Sequence, residues 1–147
     1  MKLLVVGSRN VTDEKLVYGF IDSAIEDIKQ AVTELYQDGY EKKFQLFEDP
    51  PDVPPILIGM LSGGAGGVDT LANNYAIANG IAFVTYPADW KNNGKGAGYI
   101  RNKQMVNIAD VCLAIWDGES NGTKHTITLC QKKGIPLTVK TIKRKDI

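Results

Sequence analysis

Four glycines crowd into one stretch of the chain, Ser62-Gly63-Gly64-Ala65-Gly66-Gly67-Val68-Asp69. An apolar run, Ile56-Leu57-Ile58-Gly59-Met60-Leu61, leads into it, and Val68, Leu71, Ala72, Tyr75 and Ala76 leave it at helical spacing. A buried strand therefore turns through glycines into a helix. Without Cβ atoms the backbone can pass close to a ligand. The free N–H groups of the helix's first turn then point at that ligand, with the positive end of the helix dipole behind them. The same pattern also suits a tight turn with no ligand at all. It matches neither the G-x-G-x-x-G pattern with its ribose-binding acid nor G-x-x-x-x-G-K-[ST].

The rest of the chain repeats the strand-then-helix order. Residues 2–6 are an apolar run ending in Gly7-Ser8-Arg9, and an amphipathic helix is predicted over 13–37. Asp38-Gly39 is its expected stop. Residues 40–55 hold four of the six prolines and read as a surface excursion, with a possible edge strand at 44–47. Strands are predicted at 56–61, 81–86, 111–116 and 136–140, and helices at 68–79, 99–108 and from Thr123 through Gln131. Residues 88–98 read as a polar, glycine-rich passage. The strands are continuous apolar runs rather than alternating ones, which calls for a sheet buried on both faces. With right-handed crossovers, the expected fold is α/β: a Rossmann-like, doubly wound, mainly parallel five-stranded sheet of order 3-2-1-4-5, helices on both faces, in a single domain over 1–147.

Charge and composition narrow the partners. Lys plus Arg and Asp plus Glu both number 17 in the 147 residues. A nucleic-acid surface normally shows a basic excess, so a nucleic-acid partner is not expected. The basic cluster Lys140, Lys143, Arg144 and Lys145 reads as a solvated tail. Cys112 and Cys130 fall in apolar contexts and suit the core of a reduced, intracellular protein. With one histidine, a metal site is not expected, and no cofactor is implied. No signal peptide or membrane-length apolar run is present in the sequence, and the expected location is cytoplasmic.

In a doubly wound sheet, ligands bind beyond the carboxyl ends of the strands, where the strand order reverses. Three polar loops converge there: Gly7-Ser8-Arg9, the glycine-rich turn with Gly63, Gly64, Ala65, Gly67 and Asp69, and the loop from Asp117 through Gly118, Glu119, Ser120 and Gly122 to Thr123. Arg101-Asn102 begins a fourth element. Ser8 and Thr123 offer hydroxyls to phosphate, and Arg9 and Arg101 offer planar forks. Asp69 and Asp117 suit ribose hydroxyls, a base N–H, or the capping of their own turns. Trp90 and Tyr99 can stack on a base or simply pack. His125 is a possible acid or base, or an exposed residue with no such role.

Taken together, Gly7-Ser8-Arg9, the 62–72 segment, Pro87-Ala88-Asp89-Trp90, Ala97-Gly98-x-x-Arg101-Asn102-x-x-Met105 and Trp116-Asp117-Gly118-x-Ser120-x-Gly122-Thr123 resemble the YspA/YpsA-related branch of the SLOG superfamily. That superfamily includes the LOG cytokinin-activating enzymes and the Rossmann-like domain of DprA. The resemblance implies a site for a nucleotide or nucleotide-derived small molecule, ADP-ribose-like or cyclic. It also implies sequestering or sensing of a signalling nucleotide in phage–host conflict, with a host-cytoplasmic location if the chain is phage-encoded, and a homo-oligomer. The alternative is a LOG-like nucleoside-monophosphate phosphoribohydrolase, with Arg101, Asp117, Glu119 and Asp69 as catalytic candidates. The LOG pattern places glutamates after the Gly122-Thr123 position, where this chain has Lys124, His125 and Thr126. Binding without catalysis is therefore the leading expectation.

Overall fold

The computed structural model describes residues 1–43 and 58–147, with side chains omitted for 36–43. The excursion expected at 40–55 lies outside them, apart from residues 40–43, and the edge strand at 44–47 lies wholly outside.

Five strands form one parallel sheet: β1 (Lys2–Gly7), β2 (Gly59–Ser62), β3 (Ala82–Thr85), β4 (Val111–Trp116) and β5 (Leu137–Thr141), in the order β3-β2-β1-β4-β5. The register runs Leu4 beside Leu61 on one flank of β1 and beside Cys112 on the other. This is the expected α/β doubly wound order. Central β1 shows why its sequence is unbroken apolar: Leu3 and Val5 face one core while Leu4 and Val6 face the other. The first core is closed by α1 (Glu14–Lys43) and α2 (Val68–Ala78), through Val17, Ile21, Ile25, Ala72 and Tyr75. The second is closed by α4 (Ala97–Ile108) and α5 (Asn121–Lys133), through Met105, Val106, Ile127 and Cys130. Cys112 and Cys130 are both free thiols and buried. Edge strands β3 and β5 are largely exposed, which accounts for the threonines and Lys140 in them.

Two elements differ from expectation. Helix α1 runs through Asp38-Gly39 to Lys43. One glycine costs a formed helix only about 1 kcal/mol, so a stop signal alone does not end thirty residues of helix. The 88–98 passage is ordered as α3 (Trp90–Asn93) and a 3₁₀ turn at Gly94–Gly96. Asp89 nucleates it by accepting the Asn92 N–H on its side chain at 3.1 Å. Among the described residues, no helix is long and apolar enough to cross a membrane.

Candidate functional site

The strand order reverses between β1 and β4, and a crevice of about 470 Å³ opens at their carboxyl ends. Gly7, Ser8, Arg9, Ala65, Asp69, Arg101, Asn102, Asp117, Ser120, Gly122 and Thr123 line it, with Asn10, Asn121 and Arg144 added by the structure. Gly63, Gly64 and Trp90 line a neighbouring cavity instead. Gly67, Gly118, Glu119, Tyr99 and His125 line neither.

Ser8 ties the two sides together. Its buried hydroxyl oxygen accepts the Asp117 N–H and the Ser120 hydroxyl, both at 3.0 Å, while its own N–H donates to the Ile115 carbonyl. With two bonds accepted, the Ser8 O–H is the valence left for the crevice.

The glycines of the 62–69 turn make room for the protein as much as for a ligand. A side chain on Gly63 would collide with the Arg101 guanidinium, and one on Gly67 with the backbone carbonyls of Ser8 and Arg9. Gly67 also has φ of 65°, the left-handed region that glycine enters without penalty. Arg101 fills the space beside Gly63, donating from Nη1 to the Gly63 carbonyl and from Nε to Asn102 Oδ1 at 3.0 Å. Burial pulls its pKa below the usual arginine range, with Asp69 opposing that shift. Three of its five N–H donors remain for the crevice.

The two aspartates serve their own turns. Asp69 Oδ2 accepts the Ala65 N–H at 3.0 Å, closing the glycine-rich turn across four residues. Its Oδ1 is buried with no hydrogen-bond partner in good geometry among the described residues. Burial raises the Asp69 pKa, and the Ala65 N–H, Ser62, Arg101 and Arg9 only partly offset this. Asp117 is equally buried, and burial alone would raise its pKa. The N–H groups of Glu119 and Ser120, on Oδ1 at 2.9 and 2.8 Å, and the Arg144 guanidinium, on Oδ2 at 3.2 Å, reverse that and hold it well below the usual carboxylate range. Asn10 adds a longer bond to Oδ2. Glu119 points away to Arg144, at 2.8 Å.

Helix α5 begins at Asn121 with no side-chain cap, because the hydroxyl of Ser120 is turned to Ser8. Its first N–H groups thus face the crevice uncapped, beside the buried residue Thr123. Trp90 and Tyr99 are both about half exposed, and Tyr99 meets His125 edge-to-face at 4.5 Å. His125 hydrogen-bonds Asn102 at 3.2 Å rather than facing the crevice. Arg144, Asn10 and Asn121 are lining residues that sequence reasoning missed. Asn121 lies between Ser120 and Gly122 in a loop already singled out, whereas Asn10 and Arg144 lie outside the named loops, and Arg144 comes from the basic tail read as solvated. Among the described residues, no cluster of three His, Cys, Asp or Glu side chains is placed to hold a metal.

Two comparisons place the chain among known proteins. No protein-family model matches it. It is 39% identical over 89 residues to the Gene 61 protein of Mycobacterium phage D29, across 56% of this chain and 71% of that protein. The chain belongs to the family of that phage protein. The fold of this chain is similar to a solved structure of DNA processing protein A (DprA) of Helicobacter pylori, with a TM-score of 0.60, 19% identity, and coverage of 99% of this chain and 67% of that one. The fold is thus Rossmann-like and of the DprA type.

That neighbour is described by its single-stranded DNA binding mode. It overturns the expectation that nucleic acid is an unlikely partner. With it go the captured small-molecule nucleotide and the phosphoribohydrolase alternative. The error lay in using net charge. A formal sum of zero counts Glu14, Glu26, Asp27 and Glu34 of α1, none of which lines the crevice, equally with Arg9, Arg101 and Arg144, which do. Phosphate affinity depends on the local set.

Proposed function

We propose that this chain binds single-stranded nucleic acid, with backbone phosphates laid along the crevice and a base stacked on Trp90. The observation that carries this reading is that the crevice continues past its phosphate-type donors. A second cavity of about 140 Å³, walled by Pro87, Ala88 and Trp90, shares Arg9, Ala65 and Arg101 with the first. A track from an uncapped helix N-terminus, past two arginines, to an exposed indole suits a repeating phosphate–base polymer. Single-strand binders combine such a cationic groove with aromatic platforms. The single-stranded DNA binding mode of the DprA neighbour supports the same reading, as does its fit to 99% of this chain. The motif set supports a finer placement, in the YspA/YpsA-related branch of the SLOG superfamily.

Fluorescence anisotropy with a labelled oligothymidylate of about 16 nucleotides, within the range of single-strand site sizes, tests the proposal. Binding should weaken with salt, and Arg101→Ala and Arg9→Ala should each weaken it further. An oligonucleotide that fails to bind at low salt would overturn the reading.

A further inference from the structure

Asn102 sits almost wholly buried between the crevice and His125, and its three hydrogen bonds form a short relay. Its Oδ1 accepts from Arg101 Nε at 3.0 Å; its Nδ2 reaches the Gly122 carbonyl at 3.3 Å and His125 Nδ1 at 3.2 Å. Two of these partners are chemically unambiguous: Arg101 Nε–H can only donate, and a carbonyl can only accept. They fix the orientation of the amide. Both of its hydrogens then point outward, one to Gly122 and one to His125. The Nδ1 of His125 must accept, so the ring is neutral and carries its hydrogen on Nε2.

We propose that His125 is a positioning residue for Arg101: its neutral ring locks the Asn102 amide, and the amide holds the guanidinium in place over the Gly63 carbonyl. This inference rests on the nucleic-acid reading above, in that Arg101 is taken as a phosphate contact.

Protonation breaks the relay. An imidazolium would aim Nδ1–H at the Asn102 NH₂, donor against donor. The relief is a half-turn of the amide, which then presents NH₂ to Arg101 Nε–H and loses the Gly122 bond. Arg101 keeps only its Gly63 contact. The groups facing His125 favour the neutral ring. From α4 come the Tyr99 ring, Asn102 and Lys103, and from α5 itself Lys132. Burial, then Lys103, then Lys132 lower its pKa below the ordinary value.

The consequence runs against simple electrostatics. Acidification adds positive charge to the protein, which by itself tightens binding to a polyanion. The relay instead makes affinity fall as the pH drops through the His125 pKa, by about twofold to tenfold, what one ordinary hydrogen bond is worth. His125 is the chain's only histidine, so its imidazole signals are unambiguous. Nitrogen-15 NMR of the ligand-free protein should show the Nε2–H tautomer at neutral pH and a pKa below the free-histidine value. An Nδ1–H tautomer, or a pKa at or above that value, would overturn the relay whether or not nucleic acid binds. In the binding arm, oligothymidylate affinity of the natural chain should fall on going from about pH 8 to about pH 5. His125→Gln, which offers a carbonyl acceptor that does not titrate, should lose that fall; His125→Phe should bind less well at neutral pH. Unchanged or rising affinity of the natural chain in acid would overturn the proposal. Absence of any binding would overturn the nucleic-acid reading alone, leaving the NMR result to decide the relay.

Discussion

The Nε of Arg144 donates to the buried carboxylate of Asp117 at 3.2 Å, so a residue near the end of the chain helps hold the loop that starts α5. The Arg144 side chain is 57% exposed, and solvent screening limits the pair to roughly 0.5–1 kcal/mol. The sign with pH follows from Asp117. Its folded pKa lies below the unfolded value, so its stabilisation is complete above about pH 4 and is lost as the pH falls towards the folded value. Arg144→Ala should raise the Asp117 pKa and shift acid unfolding to higher pH, measured by circular dichroism across an acid titration. An unchanged acid midpoint would show that the N–H groups of Glu119 and Ser120 suffice.

Asp69 has the opposite sign. Its pKa is raised in the fold, so between the unfolded and folded values the native state binds the extra proton, and stability declines as the pH rises through that window. Asp69→Asn can retain the Ala65 bond and removes a buried charge whose Oδ1 lacks a partner among the described residues. It should be neutral to stabilising by about 1 kcal/mol at pH 7 in urea denaturation. It should also bind oligonucleotide more tightly, because it takes a negative charge off the crevice wall. Weaker binding would mean that Asp69 contacts the ligand as an acceptor.

Ser8→Ala removes the acceptor of two bonds at once. The Asp117 N–H and the Ser120 hydroxyl would lose their partner in a buried place, at a cost of about 1–3 kcal/mol. Urea denaturation measures this directly, and a loss below about 0.5 kcal/mol would mean that water replaces the hydroxyl.

Gly63→Ala separates stability from function. Its methyl would meet the movable end of Arg101 rather than backbone, so the fold should lose about 1 kcal/mol, the low end of the cost of overpacking. Binding should drop nearly as far as in Arg101→Ala. A Gly63→Ala protein with natural affinity would contradict the role given to Arg101.

Much of the architecture was legible because buried parallel strands must be apolar on both faces. Leu3-Leu4-Val5-Val6 and Val111-Cys112-Leu113-Ala114-Ile115 announce the sheet centre, and the right-handed crossover rule leaves few orders to choose among. The crevice loops were legible for a related reason, since the topology sends Gly7-Ser8-Arg9 and the Asp117–Thr123 loop to one end. What each residue does there was less so. The glycine at 63 reads as space for a ligand, and only the packed structure shows Arg101 in that space. Arg144 approaches through tertiary folding with no local pattern to announce it. The partner was misread because a whole-chain charge sum carries no information about where the charges lie.

The central claim is that a nucleic-acid strand lies along the crevice and that Arg9 and Arg101 contact its phosphates. The most direct measurement is the salt dependence of oligothymidylate affinity for the natural chain, Arg9→Ala and Arg101→Ala, with a mononucleotide as competitor. Each released phosphate contact should lower the steepness of the log–log slope by about 0.7, and the mononucleotide should compete poorly. Tight mononucleotide binding with no affinity for the oligonucleotide, or identical slopes for all three proteins, would contradict it.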